Sequence, residues 1–225
     1  MTYWILFIGV AVLSYVVQVS FQKKFQKASQ LPILNGMAGR EVAVKMLADH
    51  GIRDVKVTST PGQLTDNFNP TNKTVNLSEA VYSQTNVAAA AVAAHECGHA
   101  VQHAQGYFPV KVRSALVPVV SITSKLVPFV LLAGMLLINV FPQVFWLGIA
   151  LFAFSTIFSF VTLPVEIDAS RRALAWLSQT DIIDASNEVE ARGALRAAAY
   201  TYVVAALSSL ATLIYYLSIF SGRRS

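Results

Sequence analysis

Forty consecutive residues, from Leu126 to Val165, carry no formal charge, and two further runs, Thr2 to Gln22 and Ala197 to Ser221, are equally free of it. An apolar run of about 20 residues is long enough to cross the hydrocarbon of a bilayer. In that solvent only a helix or a closed barrel can satisfy its own backbone polar groups. The long central run divides into two spans, Val119 to Val140 and Val144 to Pro164, parted by Asn139 and by the turn signal Phe141-Pro142-Gln143. Four membrane helices are therefore expected. Composition agrees, with 55% hydrophobic and only 13% charged residues, where a soluble domain carries ~25% charged.

The charges that remain set the topology. Lys23, Lys24 and Lys27 follow the first run, and Arg171 and Arg172 follow the third, which places both ends on the cytoplasmic side. A basic leader and a small-x-small cleavage site are both missing from the first run, so it reads as a retained anchor rather than a signal peptide. Arg223 and Arg224 would then lie outside, against the rule but outweighed by the inner segments. The net charge of +5 is topology information and contact with anionic lipid, since no interleaved basic and aromatic patch argues for nucleic acid. Cys97 is the single cysteine, which excludes an intramolecular disulfide.

Between the first and second runs the composition becomes that of a water-soluble domain. Met37 to His50 has the apolar spacing of a short amphipathic helix closed by Gly51. Val55 to Thr58, Leu64 to Phe68 and Thr74 to Leu77 read as strands, the last two joined through Asn69-Pro70-Thr71-Asn72 as a hairpin. The resulting division is a first span at 1–22, a soluble part at 23–115, a hairpin of spans at 119–164, a soluble helical segment at 165–196 and a last span at 197–221. The expected fold is mainly α: about four transmembrane helices plus a small cytoplasmic α+β domain with a short β-hairpin before its main helix.

That helix carries the chemistry. His95-Glu96-Cys97-Gly98-His99 is an H-E-x-x-H at the end of an alanine-rich run, with Asn86 as N-cap and Gly106 as stop. Histidines four apart lie on one helix face, near enough to bind one ion. Neutral imidazoles suit zinc, and Glu96 stands where a general base is needed. His103 continues the spacing but lies ~12 Å along the helix from His95, too far to join it at one metal. It reads as a helix-face residue or as support for a ligand. Cys97 points away from the metal by helical phase and reads as packing.

A catalytic zinc keeps three protein ligands and one open position, so the third should be a carboxylate. Nothing marks out Asp49, Asp54, Asp66 or Glu79. Glu166 and Asp168 stand at the inner mouth of the third span, where a carboxylate needs a reason beyond solubility. Pairing with Arg171 and Arg172 at a solvated helix end is an equally good account of both. On a helix Glu166 shares a side with Ser170, while Asp168 points elsewhere.

The runs Val92 to Gln102 and Leu163 to Ala173 resemble those of the bacterial YugP-type zinc membrane peptidases. The resemblance covers nearly the whole chain, including the Asn-Pro turn before Thr74 to Ser78 and the late Thr201-Tyr202. More distantly the chain is similar to HtpX and the CAAX prenyl proteases, gluzincins whose third ligand is the glutamate opening an E-x-x-x-D helix motif. The resemblance gives Glu166 the ligand position, with Ser170 standing where the family's aspartate would orient a ligand histidine and Asp168 as its substitute. It implies a multi-pass protein of the bacterial cytoplasmic membrane whose active site faces the cytoplasm.

The expected activity is zinc-dependent endoproteolysis: Zn2+ on His95, His99 and Glu166, and Glu96 as base. Substrates would be unfolded or membrane proteins, held along the Thr74 to Ser78 strand. Oxyanion donors would come from Arg192, Arg196, Tyr200 or Tyr202, whose other reading is interface anchoring. The lipid bilayer and membrane-protein partners complete the expected partners. Two other readings are a membrane scaffold with a structural metal, and a zinc hydrolase of non-peptide substrates. Structural zinc sites are closed by four ligands and rich in cysteine, which one cysteine cannot supply.

Overall fold

The computed structural model describes residues 2–33 and 35–222, which fall into two compact units. Arg223 and Arg224 lie outside the described residues. Helices dominate the chain: α1 (Thr2–Ser29), α2 (Gly39–Asp49), α3 (Glu79–Tyr82), α4 (Val87–Ala104), α5 (Phe108–Leu136), α6 (Pro142–Gln179) and α7 (Ala185–Ser221). Among them α1, α5, α6 and α7 are long and apolar enough to cross a membrane, and this is a membrane protein.

The membrane unit is made of the outer parts of those four helices, Lys111–Leu163 forming its central hairpin. Two glycines set how closely α5 and α6 pack. A methyl group on Gly134 would lie 2.5 Å from the Cα of Phe145, and one on Gly148 would lie 2.7 Å from a Leu131 methyl. Small residues at such crossings replace the hydrophobic effect as the means of association in lipid. Phe145 and Ile149 are buried against Val127 and Leu131, with Tyr216 of α7 edge-on to Phe145. The Thr156 and Ser209 hydroxyls join α6 to α7 at 2.7 Å. Trp4, Ile122, Phe129 and Leu136 point outward and are highly exposed, as lipid-facing side chains should be.

The second unit comprises Val17–Val110 and Pro164–Thr201. Its three strands are β1 (Lys56–Thr60), β2 (Asn67–Asn69) and β3 (Thr74–Ser78), in the order β1-β3-β2. β3 pairs parallel with β1, Val57 opposite Val75, and antiparallel with β2, Phe68 opposite Val75. The expected strand from Leu64 to Phe68 is cut short. Gly62 and Leu64 both take positive φ, at 101° and 57°, which turns the chain before it can enter the sheet.

β3 is also not the edge that sequence suggested. Its backbone is used on both sides, and Asp66 takes the Ser78 N–H beyond the end of β2. An extended substrate cannot add to Thr74–Ser78; the outer side of β2 is the edge that lies by α4.

α4 runs through the middle of this unit, with most of its residues buried. A helix apolar on nearly every side belongs inside a core, and its alanines let neighbours come close. The Asn86 side chain accepts the Ala89 N–H at 2.9 Å, capping the first turn. At the other end Gly106 takes φ 65°, and bonds from Gly106 to His103 and from Tyr107 to Gln102 close the helix. The core adds Val42, Met46 and Leu47 of α2, Val75 and Leu77 of β3, and Trp176 and Leu177 of α6.

Candidate metal centre

His95 and His99 project from one face of α4, their rings edge to face at 4.8 Å. Glu166 reaches the same point from α6. Its Oε2 lies 3.2 Å from His95 Nε2 and 3.5 Å from His99 Nε2. Among the described residues these three alone form a cluster of metal-ligating side chains, with one donor atom of each within 4.8 Å of the others. Glu166 is only 2% exposed.

The approach of the two helices is made possible by Gly98. A methyl group there would stand 2.7 Å from the carbonyl oxygen of Ala169 and 3.1 Å from its Cα. The free positions of the H-E-x-x-H motif thus serve different neighbours. Gly98 admits α6, and Cys97 is buried against α2 with its thiol toward the Ala43 carbonyl. Burial raises the Cys97 thiol far above its usual range.

Both imidazoles are held through their second nitrogens. Ser170 Oγ lies 3.1 Å from His95 Nδ1, one turn after Glu166. His99 Nδ1 lies 3.0 Å from Gln102 Oε1. Gln102 is fully buried, and its amide nitrogen donates to the Val165 carbonyl at 2.8 Å and to Asp168 at 2.9 Å. With both amide hydrogens spent, its oxygen can only accept, so His99 Nδ1 must carry a hydrogen.

In the neutral ring, His99 Nε2 then presents a lone pair to a carboxylate oxygen. Such a pair needs a cation between them, either a proton or a metal ion. Two imidazoles and one carboxylate suit zinc, so the residues present fit the group.

Asp168 is not part of the cluster. Its carboxylate receives Gln102, Arg171 at 3.4 Å and Arg172 at 2.5 Å. Arg172 continues to Gln105 and lies over the Tyr107 ring. Asp168 therefore acts on His99 through Gln102, a link invisible in sequence because it depends on which way one amide faces.

The other carboxylates have other work. Asp49 receives Lys45 and the Trp176 indole, Asp54 pairs with Lys73, and Asp66 holds Ser78. His103 packs its ring on Phe68 at 5.3 Å. Arg192 is paired with Glu188 on α7, and Tyr200 and Tyr202 are exposed.

Glu96 is buried beside the triad and accepts the Phe68 backbone N–H of β2. Burial, with Glu166 and Asp66 adding to it, pushes its carboxyl from 4.5 up to about 7; His95 opposes the rise.

A family described as "Putative neutral zinc metallopeptidase" matches residues 3–221. This chain belongs to that family. It is similar to the "Putative membrane protease YugP" of Bacillus subtilis (strain 168), with 39% identity over 212 residues, 94% of this chain and 93% of the relative. No solved structure matches.

Gln102→Leu should weaken zinc binding by roughly 10- to 100-fold, read by competition with a chromophoric chelator. Unchanged affinity would remove Gln102 from the support of His99. A second outcome concerns acid–base behaviour. The folded metal-free chain keeps a proton on Glu96 through a window in which the unfolded chain has lost it. Its stability therefore falls as pH rises from ~4.5 to ~7. Glu96→Gln abolishes that dependence, so its advantage in thermal midpoint over the chelator-treated parent should widen from about pH 5 to about pH 8.

Proposed function

We propose that the chain is a membrane-embedded endopeptidase that hydrolyses peptide bonds at the cytoplasmic face, using His95, His99 and Glu166 to hold zinc and Glu96 as general base. The observation that carries this reading is the convergence of His95 Nε2, His99 Nε2 and a Glu166 oxygen on one point beside Glu96. Zinc bound there would supply Lewis acidity, making water acidic and polarising a carbonyl.

The residues of the chain do the rest. Gln102 fixes His99 with its Nε2 lone pair toward that point, and Ser170 holds the His95 ring by Nδ1. Glu96 takes the proton of the attacking water at its carboxylate and returns it to the leaving amine. Its raised pKa favours the return step, and positive charge at the triad favours the ionised form that begins the cycle. The Phe68 N–H steadies that carboxylate from β2. The edge of β2 offers backbone groups along which an extended substrate could lie.

Cytoplasmic orientation is supported by Lys23, Lys24 and Lys27 after the first apolar run, and by Arg171 and Arg172 after the third. Unfolded or membrane proteins are the proposed substrates, because a site at a bilayer surface meets chains that are extended or leaving lipid. The fold class proposed for the second unit is a zincin-like α+β domain.

Glu96→Gln should keep its zinc and lose at least ~10²-fold in cleavage of a quenched casein substrate by the detergent-purified protein. Cleavage at the parent rate would remove Glu96 as the base. Glu166→Ala should lower bound zinc, measured by atomic emission on the purified variant. Full occupancy would show that Glu166 is not a ligand.

A further inference from the structure

The face of α4 that carries the two histidines continues toward its N-terminus through Val92 to Ala88 and Ala89, at helical spacing. There it opens into a cavity of about 790 Å³. Phe21 and Phe25 of α1, Val81 of α3 and the turn residue Leu64 give it apolar surface, and uncharged glutamine, serine and asparagine side chains make up much of the rest. Lys23, Lys24 and Lys27 stand exposed on α1, away from the cavity lining. Among the described lining residues only Asp66 is charged. The cavity also shares a segment with the metal centre: Asp66 lines it, and Phe68 donates its N–H to Glu96 two residues later.

We infer that this cavity is the subsite for an apolar, uncharged side chain of the substrate. The inference rests on the peptidase reading above. The distance sets the position. Six or seven helical residues from Ala89 to His95 and Glu96 span about 10 Å, which an extended peptide covers in about three residues. The side chain bound is therefore about the third from the scissile bond.

The lining sets the occupant. Phe21, Phe25, Leu64 and Val81 reward burial of an aliphatic or aromatic side chain, and a single Asp66 carboxylate works against an acidic one. The volume admits a large side chain and its neighbours.

The test uses the zinc-loaded, full-length Glu96→Gln protein in detergent. Fluorescein-labelled peptides of alanine and glycine carry a single Leu or a single Asp, and anisotropy reports binding. The Leu peptide should bind about 10-fold more tightly than the Asp peptide. Adding Ala80→Trp, which fills the cavity from an exposed position on α3, should abolish that preference with zinc content unchanged.

Leu64→Asp, at a turn residue 69% exposed, should do the same by adding charge, and serves if Ala80→Trp fails to fold. Equal binding of Leu and Asp peptides, or a preference that survives both substitutions, would overturn the subsite. A parent protein that binds with this preference but cleaves none of the peptides would overturn hydrolysis and leave the subsite standing.

Discussion

Helices α4 and α6 approach so closely at Gly98 that one added methyl group would lie 2.7 Å from the Ala169 carbonyl oxygen. This contact brings Glu166 to the paired histidines across 71 positions of sequence. It also brings Ser170 to one imidazole and, through Gln102, Asp168 to the other. A helix with any larger residue in place of Gly98 would have to stand off, and all four interactions would lengthen together. The motif position usually treated as free is thus the one that sets the geometry of the cluster.

The side chains of the proposed site were legible in different degrees. His95, Glu96 and His99 could be read directly, because helix spacing is local and Asn86 and Gly106 mark the helix ends with side-chain and backbone chemistry. The four apolar runs were legible for the same reason: a bilayer imposes length and charge rules on each run by itself. Glu166 was not separable from Asp168 by spacing alone, since both stand on one helix near two arginines. Family resemblance favoured Glu166, and the atoms place Asp168 on Gln102 and Arg172 instead. Gln102 lay inside the motif region without any sign of its role. Its two donors find their acceptors only after α6 has packed.

The sheet was harder. Strand order depends on pairing between segments, and alternation in Thr74 to Leu77 says nothing of which neighbours it has. A parallel partner from Lys56–Thr60 turned the expected edge into a centre. Leu64, apolar and therefore assigned to a strand, adopts a left-handed conformation that few such residues take. It is spent on the rim of a cavity, where its exposure is otherwise costly.

Cys97 offers an experimental opening. It is the chain's single thiol, fully enclosed and held protonated by its surroundings, so maleimides find no native target in the folded protein. Any cysteine introduced at the surface becomes the sole reactive handle. Spin labels, fluorophores and cross-linkers can then be attached one position at a time, with no need to strip the wild-type background first.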